Sequence, residues 1–113
     1  LQPAPVAVGR NEGARGLMLA PPWPNPSRTA VRFEFQIPSA GPLELDILDV
    51  QGRSVWSRTE RVAAGADGSP YADRFAWGWD LNDGSGRRVA PGLYLARLRT
   101  SAGQVTRRLV VMP

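Results

Sequence analysis

Apolar and polar residues alternate without a break from Thr29 to Ile37, with Val31, Phe33, Phe35 and Ile37 on one side and Arg32, Glu34 and Gln36 on the other. A period of two is that of a half-buried strand. After Ser39-Ala40-Gly41-Pro42 turns the chain, Leu43, Leu45 and Ile47 alternate with Glu44, Asp46 and Leu48. This predicts the antiparallel neighbour of the first strand. Asp49-Val50-Gln51-Gly52-Arg53 then breaks the register. A short acceptor side chain with Gly three residues later suits a tight turn closed by an Asx-type hydrogen bond, Gly52 supplying the backbone freedom. Ser54 to Arg58 resumes as a short strand, and Ala63–Asp73, small, polar and Gly/Pro-bearing, reads as a loop. Phe75, Trp77 and Trp79 alternate with Ala76 and Gly78 and are expected to anchor a core.

Asp80 to Gly86 is dense in turn formers, and Gly92–Thr100 followed by Gln104–Met112 predicts a final hairpin across Ser101-Ala102-Gly103. Gly92, like Gly52, stands where the backbone needs freedom. Upstream, Leu17–Ala20 predicts a short edge strand, and the prolines of Pro21-Pro22-Trp23-Pro24-Asn25-Pro26 cannot donate ladder hydrogen bonds. Residues 1–16 have no helical period and are rich in Pro, Gly and Ala, which reads as an extended linker or arm whose only apolar alternation is Val6 and Val8. About seven strands and no helical window make 17–113 an all-β, two-sheet antiparallel sandwich rather than a βαβ fold. Phe33, Phe35, Ile47, Trp79, Tyr94 and Leu98 are the expected core.

A length of 113 residues fits one sandwich domain, and 12 Gly with 11 Pro fit its many turns. With no Cys, neither disulfides nor thiolate ligands contribute. The first residue is Leu and no apolar run approaches a membrane span, so a processed or excised piece of a longer protein, without membrane insertion, is expected. The net charge is +4, and all the basic residues are Arg. Because Arg32, Arg53, Arg74, Arg97 and Arg107 alternate with apolar residues, a solvated sheet face is the plainer reading, and no nucleic-acid partner is expected.

Several motifs stand in a telling order: Pro24-Asn25-Pro26, Val31-x-Phe33-x-Phe35-x-Ile37-Pro38, Ile47-x-Asp49-x-x-Gly52-Arg53-x-Val55, and Trp79-Asp80 leading to Gly86-Arg87-x-Val89. Pro91-Gly92-Leu93-Tyr94 and Arg107-Arg108-Leu109-Val110-Val111 close the series. From Leu17 to Met112 the chain resembles the immunoglobulin-like C-terminal domains shared by type IX secretion sorting domains of type A and the flagellar hook-capping protein. The pattern departs from the family at Ser27, where an aromatic is usual, and in the longer Arg61–Asp73 connection. The resemblance implies an immunoglobulin-like sandwich at the end of a secreted bacterial protein. It implies that an outer-membrane secretion apparatus reads the domain, which is then removed or used for surface attachment. Its partners would be that apparatus, an upstream cargo domain or other copies of the chain, and its place extracellular or at the cell surface. Trp79 and Tyr94 would be core aromatics, with Asp80 and Gly86 shaping the turn between them.

With neither His nor Cys, Ser–His and Cys–His triads and His-based zinc sites are excluded. Asp46/Asp49 and Asp80/Asp83 are carboxylate pairs at strand ends or turns, where Asp usually caps backbone amides. Asp80-Leu81-Asn82-Asp83-Gly84 has a calcium-loop look, but its Gly falls one place early and Pro91 occupies the last ligand position. No enzyme activity and no cofactor are expected. Trp23 and Trp56, outside the inward register, keep a carbohydrate-binding reading open. If Tyr94, Ala96 and Leu98 point inward, Leu93 and Leu95 point outward, and Leu109-Val110-Val111-Met112 is apolar on both faces. Leu93, Leu95, Leu109 and Val111, with Val6 and Val8 of the arm, are thus the candidate protein-contact surface. A self-assembling filament subunit linked through its arm is the alternative to the sorting module.

Overall fold

The computed structural model describes residues 16–62 and 74–113. These form β1 (Met18–Leu19), β2 (Val31–Gln36), β3 (Gly41–Leu48), β4 (Ser54–Val62), β5 (Arg74–Trp79), β6 (Gly92–Thr100) and β7 (Gly103–Val111). One sheet has the order β1-β2-β5 and the other β4-β3-β6-β7, with every strand pair antiparallel. The apolar face of each strand lies between the sheets, where Phe33, Phe35, Ile47, Trp79, Tyr94 and Leu98 belong to one buried cluster. Relative to the constant-type immunoglobulin arrangement, the fourth strand has left the first sheet and pairs with the third strand.

The expected pairing of the first two long strands is corrected. β2 pairs with β5, from Val31↔Trp79 to Gln36↔Arg74, whereas β3 lies in the opposite sheet between β4 and β6. Each strand has one apolar face, and alternation is satisfied on either side of a core. Ile37 is buried, and Pro38 has no N–H to carry a ladder onward, so the connection crosses from sheet to sheet instead of reversing. β4 also runs to Val62, beyond the expected end at Arg58. Its Arg58 guanidinium lies 4.1 Å from the Trp77 ring centre and ion-pairs with Glu60. That contact covers the flank where edge strands β4 and β5 approach, and such charges also deter edge-to-edge pairing.

The proline-rich segment makes more backbone bonds than its composition implies. Prolines 22, 24 and 26 alternate with residues that do pair: Trp23 exchanges two hydrogen bonds with Arg32, and Ser27 bonds Val110 and Met112. The Asn25 side chain acts as a peptide mimic on the free edge of β7, donating to the Arg108 carbonyl and accepting from the Val110 amide. The segment thus leaves the three-stranded sheet and docks on the other. Arg107, expected on a solvated face, shares the inward register of Val105 and Leu109, and its Nε donates to the Leu19 carbonyl at 2.7 Å. The predicted loop 63–73 and the arm up to residue 15, with Val6 and Val8, lie outside the described residues.

Candidate functional site

Two loops at one end of the sandwich share Asp, Gly and Arg at the first, fourth and fifth places: Asp49-Val50-Gln51-Gly52-Arg53 between β3 and β4, and Asp83-Gly84-Ser85-Gly86-Arg87 between β5 and β6. Their folds match. Asp49 Oδ1 accepts from the amides of Gln51 and Arg53, and Asp83 Oδ1 from those of Ser85 and Arg87. Gly52 and Gly86 take φ of 86° and 88°, a left-handed conformation that an L side chain adopts only at a cost. The Gly84 amide bonds the Val55 carbonyl and joins the two loops. The repeated pattern Asp-x-x-Gly-Arg-x-Val, at 49–55 and 83–89, is the sequence signal that reveals the pair.

These carboxylates are engaged in structure. The Arg53 amide, then the Arg53 side chain and the Gln51 amide, hold Asp49 below the ordinary carboxylate pKa against a smaller opposing effect of desolvation. The Ser85 hydroxyl, then the amides of Arg87 and Ser85, do the same for Asp83. Asp80 accepts from the backbone and side-chain amides of Asn82, whose carbonyl takes the Trp79 indole N–H at 2.8 Å. Tyr94, one residue pair into β6, sends its hydroxyl back to the Ala90 carbonyl at 2.6 Å, as a tyrosine corner does. Gly92, with φ of 148°, starts β6 from that corner. No group of three or more metal-ligating side chains occurs among the described residues.

This rigid end carries an apolar surface on the outer face of the four-stranded sheet. Leu93 and Val110 are direct cross-strand partners, 41% and 38% exposed, and the next row aligns Leu48, half-buried Leu95 and Arg108. Val50 projects into solvent from the adjoining turn. Farther along, Asp46 aligns with Arg97, and Glu44 with Arg99. Asp46 is almost wholly buried and bonded by Arg97 at 3.2 Å and Arg99 at 3.1 Å, while Arg99 also pairs with Glu44. Asp46 is therefore a paired charge in mid-strand and not an end cap, as burying it requires. The face is apolar toward the twin turns and ion-paired toward the other end.

Leu93 and Leu95 project on this face as expected, but Leu109 and Val111 do not. Both are buried in the core, because Tyr94 pairs with Leu109 and shares its inward side. In the apolar run at the end of β7 it is Val110 that faces outward. Val50 and Val110 are the surface residues that alternation missed, the first because it sits in a turn and the second because four successive apolar residues carry no period. Trp56 is half-buried beside Trp79, with ring centres 6.2 Å apart, whereas Trp23 is open to solvent.

No protein-family model matches the chain, and no curated protein matches it. Among solved structures, dimeric latent PorU from Porphyromonas gingivalis aligns with a TM-score of 0.59 at 23% identity, over 92% of this chain and 10% of PorU. PorZ, a surface component of the type IX secretion system of the same organism, aligns with a TM-score of 0.54 at 21% identity, over 87% of this chain and 12% of PorZ. FlgD from Xanthomonas campestris, linked to the hook capping essential for flagellar assembly, gives 0.49 at 20% identity over 87% of this chain and 63% of FlgD. The chain thus spans about a tenth of the length of PorU and PorZ. At these identities the likeness to PorU and PorZ bears on the fold alone, an all-β immunoglobulin-like sandwich.

Proposed function

We propose that this chain is a non-catalytic sorting or assembly module of a secreted or surface bacterial protein, and that it works through protein contacts on the outer face of β3, β6 and β7. The observation that carries this reading is the exposed Leu93–Val110 pair, continued by Leu95 and Val50 and backed by the turn end. Apolar neighbours left in water on a small domain mark a contact surface. The twin turns, the tyrosine corner and the Trp79–Asn82 bond hold it rigid, so little ordering entropy is lost on docking. The non-catalytic reading is supported by the lack of His and Cys and by the commitment of Asp49, Asp80 and Asp83 to turns. The fold likeness to PorU and PorZ supports a type IX secretion setting by analogy.

The test is export. Fused behind a reporter enzyme in a bacterium with a type IX secretion apparatus, residues 1–113 should carry the reporter to the surface or medium. Leu93→Glu with Val110→Glu should leave it in the periplasm while the circular dichroism of the purified domain stays unchanged. A reporter retained with the unaltered sequence, or exported equally well with both substitutions, refutes the proposal. Light scattering of the two proteins identifies the competing occupant, a second copy of the chain, by a mass that falls on substitution.

A further inference from the structure

The opposite face of the molecule, the outer side of β1-β2-β5, is built differently. Cross-strand pairing sets Trp23 beside Arg32 and Gly78, Ala20 beside Glu34 and Ala76, and Met18 beside Gln36 and Arg74. The small residues Ala20 and Ala76, on either side of Glu34, and Gly78 beyond Arg32 leave the flanks of this grid low. A depression of about 390 Å³ lies over Ala20 and Ala76, walled by Met18, Glu34, Gln36 and Arg74, within the size range of ligand pockets.

The corners of the grid carry the chemistry. Trp23 is 72% exposed, and two hydrogen bonds to Arg32, at 3.1 and 2.7 Å, hold its backbone at the corner of this face. Met18, 51% exposed, extends the apolar side. Arg32 is neutralised by Glu34 at 2.7 Å, whereas Arg74 has no ion-pair partner among the described residues. Among the described residues of this face, two arginines stand against one glutamate. From strand geometry, Trp23 and Arg74 are about 16 Å apart on the diagonal, the span of about three pyranose rings.

We infer that this face binds an acidic polysaccharide, one carrying uronic acids. The apolar face of one sugar ring stacks on Trp23. The Gln36 amide and the Glu34 carboxylate take hydroxyl hydrogen bonds across the depression, and Arg74 pairs with a uronate carboxylate. An extended peptide laid over the depression meets no free backbone edge there, because β2 lies between β1 and β5. A neutral glycan offers Arg74 no counter-charge.

Calorimetric titration of the full chain with short oligogalacturonides at physiological ionic strength tests the assignment, with neutral malto-oligosaccharides as the comparison. Binding should be accompanied by a shift in Trp emission that Trp23→Phe abolishes. Trp23→Ala and Arg74→Gln should each weaken it about tenfold or more. Arg61→Gln, which removes an equal charge from β4, should leave it unchanged. Three results overturn the proposal: no heat with oligogalacturonides, equal binding of the neutral sugars, or equal weakening by Arg61→Gln and Arg74→Gln, which would mean diffuse charge attraction.

Discussion

Leu81 is the one non-glycine residue with positive φ among the described residues, at 65°, and it is also fully buried. It plugs the core from within the β5–β6 turn while its carbonyl accepts from the Val89 amide. Truncating a buried Leu to Ala costs about 2–5 kcal/mol. Going on to Gly at an ordinary core site loses about 0.8 kcal/mol more for the methyl group and about 0.5–1 kcal/mol for the freer unfolded chain. At position 81 a left-handed backbone burdens any L residue by roughly 1–2 kcal/mol, and Gly escapes this. The two effects are of equal size and opposite sign. Leu81→Ala and Leu81→Gly should therefore differ by less than about 0.5 kcal/mol, whereas Leu45→Gly, in the regular part of β3, should fall about 1–2 kcal/mol below Leu45→Ala. Urea unfolding followed by Trp fluorescence measures both pairs, provided the m-values agree. If the Gly variant at 81 falls below the Ala variant by the margin found at 45, the turn is not strained and the reasoning fails.

Tyr94→Phe should cost about 1 kcal/mol at neutral pH through the lost bond to the Ala90 carbonyl, read from the same urea titration. Burial first, and the Asp49 charge second, raise the Tyr94 pKa above 10.0. The unfolded chain then loses this proton first, so stability should fall as pH rises past 10, and Tyr94→Phe should flatten that decline. Asp49 and Asp83 are displaced the other way, below 3.8. Their contribution is complete above that value and disappears as pH falls through the folded pKa values, so acid titration of Asp49→Asn with Asp83→Asn should show a shallower loss. Asn25→Ala should speed hydrogen exchange at the Val110 amide, whose acceptor is the Asn25 side chain, and leave core amides unaffected. An unchanged rate at Val110 would mean that the β7 edge is protected without Asn25.

Strand alternation is a local property. Val31 to Ile37, Leu43 to Ile47 and Phe75 to Trp79 announce both their conformation and their buried side, because the pleat turns successive side chains to opposite faces. The Asx turn at Asp49 was equally legible, since its acceptor, amides and glycine lie within five residues. The run Leu109-Val110-Val111 was not, because consecutive apolar residues carry no phase, and the pairing of Leu93 with Val110 selects which one meets water. Asp46 likewise reads as a cap until two arginines from β6, more than fifty residues away, are brought against it. The amino-acid sequence by itself determined the alternating strands from Val31 to Ile37, Leu43 to Ile47 and Phe75 to Trp79, their inward residues and the Asx turn at Asp49, all set by neighbours along the chain. The tertiary structure alone decided that β2 and β3 lie in opposite sheets, that Asn25 closes the β7 edge, and that Leu93 meets Val110. Each depends on which distant backbone supplies the hydrogen bonds, and an amphipathic strand is satisfied on either side of the core.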